Sequence, residues 1–183
     1  MYKNEYYTAN IKLDEYIKDY RDTAKFIEFC KACRNYNNYY TCPCFDYDVD
    51  AVLNEYQDVC IYVCKVVLDE ELIKNTKKED IVKVSSDLLK DVRKEFDQYL
   101  LSIEKELNGL AFFAGVCHLC DECQKKYNKP CLHEDLRRTS LEAYGFDMIK
   151  TSEQLVGIKM IWGEHTLPPY FTMTAGVLFN KDE

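Results

Sequence analysis

Apolar residues recur along this chain with two periods. From Leu13 to Phe29 the positions Leu13, Tyr16, Ile17, Tyr20, Ala24 and Ile27 fall three and four apart with charge between them. That spacing predicts one amphipathic helix, which delivers Cys30 and Cys33 at its C-terminal end. A longer stripe, Leu88, Leu89, Val92, Phe96, Tyr99, Leu100, Ile103 and Leu107, predicts a helix that opens at Ser85 or Ser86 and stops at Gly109. Val59–Leu68 is rich in β-branched residues and predicts a central strand. Cys60 and Cys64 then share one face of that strand and read as core. Leu110–Val116 reads as a buried strand. The order strand, helix, strand suggests a parallel pair with a right-handed crossover.

Shorter signals complete the pattern. A strand is expected around Tyr6–Ile11, and two more at Ile158–Trp162 and Tyr170–Phe179, parted by a turn at Pro168-Pro169. Asp48 is placed to cap a short helix. Thr139 and Glu142 match a capping box for a helix ending at Gly145, and Thr151-Ser152-Glu153-Gln154 repeats the device before Gly157. Residues 69–83 are charged and predict a surface connection. No repeat, low-complexity tract or linker interrupts the chain. The expectation is a single α+β domain over 1–183. It has a mixed sheet of about four strands, of which a ferredoxin-like sandwich is one possible form. Helices lie on one face, and a cysteine-rich metal-binding lobe sits at the sheet edge.

Composition changes this picture mainly through charge and sulfur. The formal net charge of −8 argues against nucleic acid or an anionic membrane as main partner. No apolar run approaches the ~20 residues that span a bilayer. Met1-Tyr-Lys-Asn-Glu-Tyr-Tyr7 lacks the apolar centre of a signal peptide, so a cytoplasmic location is expected. Disulfides are rare there, and the ten cysteines read as reduced ligands rather than staples.

Eight of those ten cysteines fall in two sets. One runs Cys117-His-Leu-Cys120-Asp-Glu-Cys123, followed after seven residues by Cys131, which stands directly behind Pro130. Three cysteines at this spacing let successive backbone turns aim sulfurs at one centre, with the fourth supplied from farther off. The pattern points to a [4Fe–4S] cluster held by Cys117, Cys120, Cys123 and Cys131. The other set, Cys30, Cys33, Cys42 and Cys44, suits a second cluster or a tetrahedral Zn²⁺. Cys42-Pro43-Cys44 is too tight for a zinc knuckle, so Cys44 is a possible bystander, leaving three sulfurs and an open or borrowed position. Metal-free reduced cysteines are the plain alternative. His118 and His133 lie by the 117–131 set and read as surface or supporting groups more readily than as ligands. Phosphate loops, nucleophile elbows and zinc-protease helices are all absent.

With both sets located, the chain resembles a family of uncharacterised predicted metal-binding proteins (domain of unknown function 2284) common in anaerobic bacteria and archaea. Its first motif has paired cysteines and an aromatic-rich stretch ending in Cys-Pro-Pro. Here that is similar to Cys30, Cys33, Tyr36, Tyr40, Cys42 and Pro43, with Cys44 in place of the second proline. Its second motif is matched by Gly115, Cys117, Cys120, Cys123, Pro130, Cys131, Arg138, Ser140, Glu142, Ala143 and Gly145, while Leu132, Glu134 and Thr139 depart from it. The resemblance implies a metal and supplies no reaction. Three functions follow, in order of preference. The first is a small iron–sulfur protein, with one or two clusters, passing electrons to a redox protein partner. The second is a structural zinc module forming an interaction surface. The third is an enzyme using an incompletely ligated cluster.

Overall fold

The computed structural model describes residues 2–181. Strand β1 (Tyr2–Lys12) leads into helices α1 (Leu13–Tyr20), α2 (Thr23–Ala32) and α3 (Val49–Leu53). Strand β2 (Asp58–Leu68), helix α4 (Glu70–Asn75), the long helix α5 (Ile81–Glu106) and the short strand β3 (Leu110–Phe112) follow. After a loop region come a 3-10 turn at Leu141–Tyr144, helix α6 (Met148–Lys150), one π-helical turn (Thr151–Val156) and strand β4 (Tyr170–Phe179). The four strands form one sheet in the order β1-β2-β4-β3. The fold is α+β.

Every strand pairing is antiparallel, so the sheet is not mixed. The expected parallel relation survives in a different form. β2 and β3 are each antiparallel to β4, and so run the same way with β4 between them. This is the split β-α-β unit found in ferredoxin-like sandwiches, but the β-α-β-β-α-β order of that fold is absent among the described residues.

Helices cover both faces of the sheet rather than one. Cys60, Tyr62, Cys64 and Val66 of β2 pack with Val92, Phe96 and Leu100 of α5. Val59, Ile61 and Val63 point the other way, into Leu13 and Tyr16 of α1, Leu53 of α3, and Leu141, Tyr144 and Phe146. The unbroken apolar run of β2 carries this information, since a strand with one wet face alternates and one covered on both sides does not. Cys60 and Cys64 lie in the core.

Local departures from the pattern have physical causes. The single helix expected over Leu13–Phe29 breaks at Arg21. Asp22 accepts a hydrogen bond from the Lys25 N–H at 3.0 Å and so caps a second helix. The extended Arg21 pairs with Phe146. Helix α5 begins four residues ahead of Ser85, at Ile81. It ends through Asn108, at φ 46°, rather than through a left-handed Gly109. Gly109 serves close approach instead, since a Cβ there would lie 2.2 Å from the Leu178 carbonyl oxygen. At Thr139 the capping box does not form. Ser140 stands at the N-cap, and the Thr139 hydroxyl donates to the Thr41 carbonyl at 2.7 Å. Ile158–Trp162 is not a strand. Its sequence neighbour β4 already has β2 on one edge and β3 on the other, so no slot is open to it. Strand β3 stops at Phe112 because the next N–H, of Phe113, turns to the Thr139 carbonyl at 2.9 Å.

Leu100 is fully buried between α5 and the sheet, whereas Leu101 only borders that core. Leu100→Ala should cost about 2–5 kcal/mol and Leu101→Ala clearly less, read from urea unfolding midpoints at constant slope.

Candidate metal centre

The residues between Phe113 and Thr139 form a loop closed at its stem by the Phe113–Thr139 backbone bond. Apart from a 3-10 turn at Gln124–Tyr127, they contain no regular secondary structure. Helix α5 anchors both ends of the loop. Arg93, buried at the middle of α5, donates to the Val116 carbonyl at 2.5 Å, directly ahead of Cys117. Its other nitrogen reaches Asp97 at 3.0 Å. In the last turn of α5, Glu104 takes Arg138 in a two-pronged ion pair and also accepts the Ala111 N–H at 2.7 Å. Gly115 adopts φ 80°, which starts the reversal into the loop.

Within the loop, Cys117, Cys120, Cys123 and Cys131 line one small cavity together with Tyr39, Tyr40, Thr41, Leu119 and Gln124. Its volume is about 20 Å³, the room of roughly one water molecule. Cys117 is pushed up from the ordinary thiol range by burial, and then by its neighbours Cys123, Cys131 and Cys120. Cys120 shifts the same way.

The other set hangs from α2. Cys30 is in the last turn, and Cys33 caps the helix, its N–H reaching the Cys30 carbonyl at 3.0 Å. Cys42 is pushed up to about 11, by burial first and then by Cys33 and Cys30. Those three thiols therefore lie within electrostatic reach of one another. Cys44 behaves differently. It is exposed, its sulfur lies 3.2 Å from the Tyr36 hydroxyl, and it borders a cavity with Lys125, Pro130 and Cys131.

Both sets belong to one lobe. The Tyr40 hydroxyl donates to the Lys129 carbonyl at 2.7 Å, and Lys125 Nζ to the Cys44 carbonyl at 3.1 Å. Tyr39 stands between the sets. It lines the cavity of the four sulfurs, and its phenol is raised by burial and then by Cys123 and Cys42. Lys126 lies over the Tyr39 ring, and Arg137 over that of Tyr40. In an acidic chain, cations gathered beside thiols offset the negative charge that ionised sulfur would bring. His118 is exposed and lies in the field of Arg93 and Lys90, on the α5 side of the loop.

Among the described residues, no three His, Cys, Asp or Glu side chains are close enough to grip a metal ion as they stand. The donor chemistry nevertheless fits a thiophilic metal: soft sulfur ligands, deprotonated only when a cation compensates them. Sequence reasoning passed over Arg93 and Glu104, because both sit inside a helical pattern where charges read as solvated face. Their signal was position, since Arg93 directly follows the apolar Val92 on the buried side of α5.

A family profile described as "Predicted metal-binding protein" (DUF2284) matches residues 16–179. The chain belongs to that family. No curated protein and no solved structure matches it. The DUF2284 match runs from within α1 to the end of β4, and so takes in three of the four strands, the α5 tethers and both cysteine sets. No helix among the described residues is long and apolar enough to cross a membrane.

Two outcomes follow from the tethers. Arg93→Met frees the Val116 carbonyl and strands Asp97, so it should cost about 3–5 kcal/mol and speed amide exchange at Cys117–Cys120. Asp97 itself is pushed up to about 6, with burial outweighing the pull of Arg93. A carboxyl raised in the folded state binds its proton more tightly there than in the unfolded chain. The Asp97 contribution is therefore neutral below about pH 4, turns increasingly unfavourable between about pH 4 and 6, and stays constant above that. Asp97→Asn should match wild type at pH 4 and gain on it above pH 6, measured by urea unfolding across that range.

Proposed function

We propose that this DUF2284 chain is an iron–sulfur protein that passes electrons to a redox partner, with Cys117, Cys120, Cys123 and Cys131 as the ligands of its main centre. The observation that carries this reading is the shared cavity of those four sulfurs. Their C-x2-C-x2-C spacing with a distant cysteine behind proline is of the kind used for cubane clusters. A bound cluster would supply one-electron chemistry. The chain's own residues would hold it, shield it with Tyr39, Tyr40 and Leu119, and balance its charge with Lys126 and Arg137. Tyr39, between the two sets, would separate two centres by a single aromatic side chain. Because the present cavity is about 20 Å³, the loop must open to admit a cluster. A segment with one 3-10 turn and two end tethers can do so without disturbing the sheet.

The same small volume favours a second reading, a single zinc ion at these four sulfurs with a purely structural role. Anaerobic purification separates the two. The iron–sulfur reading expects a brown protein with near-equal iron and acid-labile sulfide, and an EPR signal on reduction. Cys120→Ser should lose or alter that signal. A colourless protein with stoichiometric zinc and no sulfide would sink it.

A further inference from the structure

Glu142 is one of several described residues with a buried polar atom left unpaired, and the one of them that borders a large cysteine-lined cavity. It sits on the 3-10 turn Leu141–Tyr144, and its Oε2 is buried with no hydrogen-bond partner. A buried unpaired carboxylate oxygen is costly, and a place for a bound cation is one standard reason for it. Glu142 borders a cavity of about 380 Å³ that runs between the 3-10 turn and α2. Cys30 lines the same cavity. The two elements are pressed together there: Asp22 N–H donates to the Gly145 carbonyl at 2.9 Å, and a Cβ on Gly145 would meet Thr23 Cα at 2.9 Å. Arg21, the cation on the cavity wall, is already engaged, by the Tyr144 carbonyl at 2.7 Å and by Asp50 at 2.6 Å.

The first cysteine set has the complementary deficit. Cys30, Cys33 and Cys42 act on one another, whereas the Cys44 sulfur is bonded to Tyr36 and faces the cavity that holds Lys125 and Cys131. We propose that Glu142 is the fourth ligand of a thiophilic cation held by Cys30, Cys33 and Cys42, and that Cys44 stays outside this set. Three thiolates and a carboxylate suit a zinc ion, or one iron of a cluster. The weakly held carboxylate position would open toward the 380 Å³ cavity, which gives this centre room beside it that the four-sulfur site lacks. Cys33 and Cys42 do not themselves line that cavity, so binding would draw their loop toward Cys30 and Glu142.

The inference rests on the reading that the first set binds metal, and the test keeps the two apart. In a Cys120→Ser/Cys123→Ser background, which removes the other site, the metal-free chain is titrated with Co(II), and the sulfur-to-cobalt absorption counts thiolates. The proposal expects absorption for three thiolates. It expects at least tenfold weaker Co(II) binding with a shifted visible spectrum in Glu142→Gln, and no change in Cys44→Ser. Circular dichroism of the metal-free variants should be unchanged, which separates ligand loss from misfolding. Four thiolates, a Cys44→Ser loss, or a Glu142→Gln titration like its parent would each overturn the assignment of Glu142. Absence of any Co(II) binding in the parent would overturn it together with the first-set reading, while metal at Cys117–Cys131 in the otherwise native chain would still stand. Iron and sulfide analysis of anaerobic Cys120→Ser/Cys123→Ser then tells a cluster from zinc.

Discussion

Two charged tethers from one helix hold the lobe that carries the sulfur chemistry. Arg93 grips the backbone just before Cys117, and Glu104 grips Arg138 just before the loop closes at Thr139. Between them the chain has little structure of its own, so most of its order is borrowed from α5. Helix α5 is rigid because Val92, Phe96 and Leu100 are packed on the sheet, and Arg93 is the next residue after Val92. A charge-assisted bond from a buried guanidinium to a carbonyl is stronger than an exposed one. It also fixes the loop ends, which lowers the entropy cost of gathering the groups between them.

Within the lobe the controlling problem is charge. Thiols such as Cys42 and Cys117 resist ionisation because burial and neighbouring sulfurs both oppose it. A metal would reverse that balance by supplying the missing positive charge, so metal binding and ordering of the lobe are expected to be one event. The few direct bonds between the two cysteine segments, Tyr40 to Lys129 and Lys125 to Cys44, make a single lobe of pieces about ninety residues apart in the chain. The strands carry no member of either cysteine set. The role of the sheet is to hold α5 on one face and the Leu141–Tyr144 turn on the other, so that the lobe hangs between two supports.

Local patterns along the chain determined the helix α5, the strands β2 and β4, the α+β class and the grouping of cysteines, because periodicity and spacing are properties of neighbouring residues. The DUF2284 motifs were legible for the same reason. What needed the tertiary structure was everything that depends on which slot is free. Ile158–Trp162 has strand composition and no edge to join, and β3 is cut short by a bond to Thr139. Leu13–Phe29 has one helical stripe, yet Asp22 and the Phe146 backbone divide it. The burial of Glu142, the turning away of Cys44 and the reach of Arg93 to Val116 likewise follow from contacts between distant segments. A sequence encodes such contacts only jointly, because the free energy of each depends on where the partner segment has already been placed.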